Sequence, residues 1–341
     1  MGSAIADVAA RAGVSKATAS RALSGKGYVA EVTRQRVVQA AKEIGFVASP
    51  NAASLVTGHT KNIGVVIPFI NRWFFGEILE GVEEALLNRG YDMTLYNIHP
   101  GSADRDRVFD FFLARKRFDG VIVIGVEPTP EETARLLRLD IPLVSVGAPV
   151  ADVRSLTIDD EVAGRLATEH LIGLGHRRIL HMGGTVTGEG DTSVHGRRMR
   201  GYVSAMTQAG LEREMSFAQT EMSVPGGYDA GAHELSNSSS RPTAVFAACD
   251  EIAIGVIIAA RRLGLAVPGD LSLVGIDGHE YAEMFSLTTI EQQPRAQGQS
   301  AVTDLLAAVS GESLAADVVD VPARLVVRAS TTFAQLSADA V

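Results

Sequence analysis

The chain has 341 residues, 46% hydrophobic and 21% charged, with a formal net charge of −9. That length exceeds one ordinary core and predicts two or three folded domains. The longest apolar runs, "NIGVVIPFI" and "FDGVIVIGV", are strand-sized and fall well short of the ~20 residues of a membrane span, and the single cysteine, Cys249, excludes an internal disulfide or a cysteine-cluster metal site.

The average charge hides an uneven distribution. Residues 1–60 carry Arg11, Lys16, Arg21, Lys26, Arg34, Arg36 and Lys42 against Asp7, Glu31 and Glu43, a net of +4, and the remainder carries −13. A basic head on an acidic body points to a nucleic-acid-binding module joined to something that is not one, with chance unevenness as the alternative. The N-terminus has no basic stretch followed by an apolar one, so no signal peptide is expected. The expected location is the cytoplasm, with no membrane partner.

In chain order, "AIADVAARA" (4–12) predicts a first helix with Val8, Ala9 and Ala12 inward. Gly13 ends it, because glycine takes a left-handed cap freely. Ser15 is a good N-cap for a second helix from Lys16 to about Leu23. That helix turns Ala19, Ala22 and Leu23 inward. Ala17, Ser20, Arg21 and Ser24 face outward, with Lys16 at the leading end. "AEVTRQRVVQAAKEIGF" predicts a third helix whose Val37, Val38, Ala41, Ile44 and Phe46 cover the first two. Two short helices around a glycine turn, the second carrying small and polar residues outward, make a helix-turn-helix. Such a helix enters a major groove only if nothing bulky blocks it, and it reads base edges near its N-terminus. A helical hairpin with no ligand is the bland alternative.

The stretch "DVAARAGVSKATASRALSGKGYVAEVTRQRVVQAAKEIGF" resembles the DNA-binding head of the LacI/GalR family of bacterial transcription regulators. Ala19 departs from the valine usual there. The resemblance implies that Lys16 and Ala17 read bases. It also implies that Ser15, Thr18, Ser20, Arg21, Ser24, Tyr28 and Thr33 position the helix on backbone and bases. Residues 48–60, rich in Ser, Ala, Asn and Gly, read as a linker, which the resemblance turns into a hinge that folds on DNA. In it Leu55 takes the place of the leucine that wedges into the minor groove and unstacks a step. Ala48-Ser49 stand where Pro-Asn is usual, and Ala53 where Arg is common.

From residue 61 strands and helices alternate. Strand-like runs are "IGVVIPF", "DMTLYNI", "GVIVIGV", "PLVSVG", "SLTID", "RILHMGG", "AVFAACD" and "LSLVGID". A helix such as "DDEVAGRLATEHLIGLGH" recurs at 3.6-residue spacing through Ala163, Leu166, Ala167, His170, Leu171 and Leu174. Runs buried on both faces with helical crossovers mean parallel α/β sheets, and about eight strands suit two lobes better than one. Ligands bind at the carboxyl ends of such strands. Those ends carry Asn71, Arg72, Trp73, Phe74 and Phe75; Asp159 and Asp160; Cys249 and Asp250; and Asp277. Aromatics beside carboxylates and a guanidinium suit a sugar. The aromatics could equally be core, and Asp160 and Asp250 could equally be helix N-caps.

The body resembles the same family, and its relatives the periplasmic sugar-binding proteins, through "NRWFFGEILEGVEEALLNRGYD", "IDDEVAGRLATEHLIGLGHRRI", "RPTAVFAACDEIAIGVIIAARRLGLAVPGDLSLVGID" and "LTTIEQQP". The implied fold is α/β: an all-α helix-turn-helix head (1–47), a hinge (48–60) and a periplasmic-binding-protein-like body (61–341) of two Rossmann-like lobes. The N-lobe would span about 61–158 and 291–318, the C-lobe about 159–290 and 319–330. Arg198 and Asp277 would anchor effector hydroxyls, Phe74 and Phe75 would stack, and Gln292 would lie near a crossover. The expected partners are a near-palindromic DNA operator, a sugar-like effector, and a second copy of the chain or more. Cys249 stands where Asn is common. Arg72-Trp73 also departs from the usual pair, and Arg72 raises the expectation of an acidic sugar or sugar phosphate. No dinucleotide fingerprint, phosphate loop or nucleophile elbow is present, so neither an enzyme nor a cofactor is expected, and the histidines lack metal-binding spacing. The rival readings are a sugar-binding protein without a DNA role, a Rossmann-type enzyme, or a regulator answering to a non-sugar corepressor.

Overall fold

The computed structural model describes residues 5–24, 27–46, 58–99, 102, 104–115, 117–188 and 191–335. The chain falls into two units, Met1–Asn62 with Lys116–Asp119, and Ile63–Arg115 with Gly120–Val341. The hinge residues named above, Leu55 among them, lie outside the described residues.

The first unit holds three helices, α1 (Ile5–Ala12), α2 (Lys16–Ser24) and α3 (Glu31–Glu43). Gly13 sits at φ 64°, and the following Val14 N–H reaches back to the Ala9 carbonyl at 2.9 Å, which closes α1. Ser15 Oγ accepts the Thr18 N–H at 3.1 Å and so caps the start of α2. The core is built of small side chains: Val8, Ala9 and Ala12 meet Ala19 and Ala22, and Val37, Ala40 and Ala41 close over them. Arg34 of α3 donates to the Ala22 carbonyl near the end of α2 at 3.1 Å. Val38 departs from expectation: it is 37% exposed, because 3.6-residue geometry puts Val37, Ala40 and Ala41 on one face and rotates Val38 away.

The second unit carries two six-stranded sheets. The first contains β1 (Asn62–Ile67), β2 (Asp92–Asn97), β3 (Gly120–Ile124), β4 (Leu143–Val146), β5 (Arg154–Thr157) and β11 (Val318–Asp320), in the order β11-β5-β4-β3-β1-β2. The second contains β6 (Ile179–Gly183), β7 (Ser216–Gln219), β8 (Ala244–Ala247), β9 (Ser272–Asp277), β10 (Thr288–Glu291) and β12 (Arg324–Val326), in the order β12-β10-β9-β8-β6-β7. Pairing is parallel between β1 and β3, β8 and β9, and β5 and β11, while β12 runs antiparallel to β10. The chain passes between the sheets after β5, after β10 and after β11, giving three crossovers.

Four strands escaped the sequence reading. β7 and β11 are short sheet members with mostly exposed side chains, so they carry no apolar run. β12 is only three residues long, and β10 is buried but opens on two threonines.

Each lobe is faced by helices. α4 (Trp73–Leu87) packs on α11 (Pro294–Val309), α7 (Asp160–Gly173) on α8 (Val194–Gln208), and α9 (Val224–Ser236) on α10 (Asp250–Arg262). The remaining helices are α5 (Asp104–Arg107), which runs on into a π turn, and α6 (Pro130–Leu137). Every one of the three pairs crosses over glycine from both partners. A Cβ on Gly81 would fall on the Arg295 carbonyl, one on Gly201 on the Glu161 carbonyl, and one on Gly227 on the Ile252 carbonyl. These close crossings draw the helices onto apolar cores such as Ile63, Val65, Ile122 and Val144, and Ile179, Phe246, Val274 and Ile276, where each large side chain contributes ~1.5–3 kcal/mol. Among the described residues no helix is long and apolar enough to cross a membrane.

Candidate functional site

On the first unit, the outward surface of α2 is the one the sequence picked. Ser15, Lys16, Ala17, Ser20, Arg21 and Ser24 are exposed, and Thr18 is half-buried beside Ser15. Arg21 folds back, its Nε donating to the Ala17 carbonyl at 3.2 Å. Tyr28 is 92% exposed. Thr33 is half-buried near the start of α3. A helix with Ala and Ser at its front and cations at its flanks can lie in a groove and donate to phosphates and base edges.

The second unit contains a cavity of about 440 Å³. Its wall is assembled from residues following strands of both sheets: Phe69 after β1, Gly125 and Glu127 after β3, Gly147 after β4, Asp160 after β5, Gly184 after β6, Glu221 after β7, Cys249 and Glu251 after β8, and Gln292 after β10, with Asp277 closing β9. This is where parallel sheets expose their strand ends to a ligand. The first lobe supplies aromatic rings. Phe74 and Phe75 meet edge-on at 5.4 Å, and Phe69 lies 5.9 Å from Phe75. Their placement needs glycine behind them: a Cβ on Gly125, which sits at φ 55°, would strike the Phe75 ring.

The second lobe supplies charge. Asp160 is 2% exposed and accepts from Arg198 Nε at 2.9 Å and Arg197 Nη2 at 3.0 Å. Arg198 also donates to the Ala248 carbonyl. Burial works against its charge, but Asp160 and Asp277 more than offset that and raise its pKa. Asp277 accepts from Gln292 Nε2 at 2.7 Å. Burial pushes its carboxyl well above the ordinary range, with Asp250 nearby adding to the rise and Arg198 opposing it. Its backbone sits at φ 133°, a conformation that favours glycine, so the side chain is held at the cavity at some strain. Burial likewise lifts the Cys249 thiol, making it inert, and with Arg198 nearby it lowers the pKa of His195.

Of the ten body residues assigned to the effector site in the sequence, eight line this cavity: Arg72, Phe74, Phe75, Asp160, Arg198, Cys249, Asp277 and Gln292. Two do not. Trp73 turns away and stacks on His279 at 4.6 Å. Asp250 is fully buried behind the wall, where it accepts from the His279 N–H at 2.8 Å and from the Thr289 hydroxyl at 2.7 Å and ties β10 to the turn after β9. The N-cap alternative also falls: Asp159 caps α7 by accepting from Val162 N, and no side chain caps α10. Sequence reading missed Glu127, His195, Glu221 and Glu251. Glu127 and Glu251 follow strands that were read, so the strand-end rule applied further would have found them; Glu221 follows β7, which was not. Among the described residues no three His, Cys, Asp or Glu side chains are grouped to hold a metal.

A helix-turn-helix head and a two-lobed body with an aromatic-and-charge-lined cavity define a DNA-binding protein that takes a small ligand. Comparison with known proteins carries this further. Residues 4–49 match the family described as bacterial regulatory proteins, lacI family, and residues 168–331 the periplasmic binding protein-like domain. The chain is 36% identical over 334 residues to the HTH-type transcriptional repressor PurR of Serratia proteamaculans, covering 96% of each. It is similar to the lac repressor dimer bound to operator and the anti-inducer ONPF (25% identity, TM-score 0.85, 97% of this chain and 100% of that one). It is also similar to the CelR–cellobiose complex (28%, TM-score 0.68, 96% and 99%). A LacI family regulator from Enterococcus faecium with bound ribose matches at 26%, TM-score 0.71, over 80% of this chain and 100% of that one. The chain belongs to the LacI/GalR family of bacterial transcription regulators. It is a DNA-binding transcriptional repressor with an effector-binding body, and its relatives are not enzymes.

Proposed function

We propose that the chain represses from a near-palindromic operator as a homodimer or larger assembly in the cytoplasm, and that a sugar or sugar derivative in the body cavity sets its operator affinity. The head (1–47) reads DNA through Lys16 and Ala17 at the front of α2, with Ser15, Thr18, Ser20, Arg21, Ser24, Tyr28 and Thr33 seating it. Residues 48–60 form the hinge and Leu55 its wedge. The body (61–341) holds the effector between its two lobes, divided at the boundaries given above. The carrying observation is the two-sided cavity. Phe74 and Phe75 offer apolar faces to a ring, and Arg198, Asp277, Asp160 and Gln292 offer polar groups to its hydroxyls. Cellobiose and ribose in two of the similar structures support a sugar. The dimer formed by the similar lac repressor supports a second copy.

Control is linkage. Whatever factor the effector changes operator affinity by, the operator changes effector affinity by the same factor. A second reading has one observation in its favour: a phenylalanine pair stacks a flat heterocyclic base as well as it stacks a sugar ring. The test selects DNA from a random library with the full chain and with a Lys16→Ala/Arg21→Ala variant, alone and with sugars or free purine bases. A near-palindromic site enriched by the parent alone, and altered by a sugar, supports the proposal. Enrichment that responds to a base and no sugar transfers the effector to the second reading. Equal enrichment by parent and variant defeats the assigned DNA-reading face.

A further inference from the structure

The cations of the cavity are already spent. Arg72 Nη2 binds Glu221 at 2.8 Å, bridging the two lobes. Arg105 binds Glu132 through two bonds, 2.6 and 2.7 Å, and donates to the Glu127 carbonyl at 3.0 Å. Arg198 is matched by Asp160 and the Ala248 carbonyl. His195, the remaining basic side chain of the wall, has its pKa lowered by burial and by Arg198 and so stays neutral near pH 7.

The wall holds five carboxylates, Glu127, Asp160, Glu221, Glu251 and Asp277, against the three guanidiniums. Among the described residues three of the five, Glu127, Glu251 and Asp277, form no ion pair. Glu251 accepts the Trp73 backbone N–H, and Asp277 accepts from the neutral Gln292 amide. Burial raises both carboxyls, opposed by Arg72 at Glu251 and by Arg198 at Asp277, where Asp250 adds to the rise. Among the described residues the Glu127 carboxylate accepts the Val194 N–H, at 3.0 Å, so the N-terminus of α8 is also answered by protein before any anion arrives.

We propose that this cavity takes a hydroxyl-rich ring without negative charge, prefers an amino-substituted ring to its neutral parent, and rejects phosphorylated or uronate forms. The inference rests on the effector reading above and reverses the acidic sugar that Arg72 suggested in the sequence. An anion would meet three carboxyl groups that lack an ion-pair partner, with each guanidinium of the wall already bonded to protein. An ammonium would supply the missing partner of Glu251 or Asp277.

The test is thermal shift followed by calorimetry on the full chain at neutral pH. The probes are glucose, ribose and cellobiose, glucosamine, glucuronate, glucose 6-phosphate and ribose 5-phosphate, with adenine and hypoxanthine as uncharged bases. The expected result confines binding to neutral and aminated sugars. An anionic form binds at least ~tenfold more weakly than its parent, and glucosamine at least as tightly as glucose. Glu251→Gln, an isosteric change, removes any advantage of glucosamine. A phosphate or uronate that binds as well as its parent overturns the inference and leaves the sugar reading standing. Binding by the bases alone overturns the sugar reading and this inference with it. No binding by any probe defeats both.

Discussion

The head and the body place their functional side chains in opposite environments. On α2 the assigned DNA-reading residues stand exposed on a core of alanine and valine that does not involve them. In the body the polar ligand-binding residues Asp160, Arg198, Asp277 and Gln292 are buried and held by partners: Asp160 with Arg197 and Arg198, Asp277 with Gln292. Exposed functional groups are dispensable to the fold, whereas buried charges are not, because removing one partner leaves the other uncompensated. The two regions should therefore answer mutation differently.

The sharpest break is Arg198→Leu. It removes one of the two guanidiniums on Asp160, 2% exposed, leaving Arg197 alone there and the Ala248 carbonyl without its donor, and should destabilise the body by about 3 kcal/mol while abolishing the ligand response. Denaturant unfolding monitored in the body checks this, and a loss of binding with unchanged stability would make the body behave like the head.

Next comes pH. His181 is fully buried against Phe246, their rings 4.5 Å apart, and burial lowers its pKa to about 4. A depressed folded pKa means stability fully present above the unfolded value near 6.5 and lost as pH falls from there toward 4. The size is roughly 3 kcal/mol at ~1.4 kcal/mol per unit. His181→Phe should take this contribution out of the acid limb of the unfolding curve, while His279, lowered by burial to about 4, keeps its own and the head is indifferent.

Lys16→Ala should cost operator binding about 1–3 kcal/mol without moving the unfolding midpoint, as filter binding and thermal unfolding will report. Ser15→Ala blurs the contrast on purpose. It removes the cap of α2 and should cost the head about 1 kcal/mol of stability along with affinity. The smallest effect is expected of Arg72→Gln. Its partner Glu221 is 70% exposed, so the pair contributes under about 1 kcal/mol to stability.

The head was largely legible because its signals are local. Gly13 and Ser15 mark a turn by their own chemistry, and Ala19 and Ala22 face inward by simple periodicity. Val38 was misread by counting apolar residues without following the helical angle. In the body, strands buried on both faces announced themselves, whereas β7 and β11, largely exposed, did not. The polar site was half legible. A strand-end rule brings out Asp160 and Asp277, but whether a carboxylate faces the cavity or the wall behind it depends on the turn that follows. Asp250 is the example: one residue after Cys249, it points at Thr289 and His279 instead of the ligand space. The pairing of Arg72 with Glu221 joins side chains 149 positions apart, and no local pattern encodes it.

The central claim is that the head reads DNA and the body decides when. The most direct measurement is operator affinity of the full chain with and without saturating effector, at one salt concentration, set beside effector affinity with and without operator. The account predicts two factors that are equal and different from one. Effector bound with the same affinity on and off the operator, and operator affinity unmoved by effector, would contradict it.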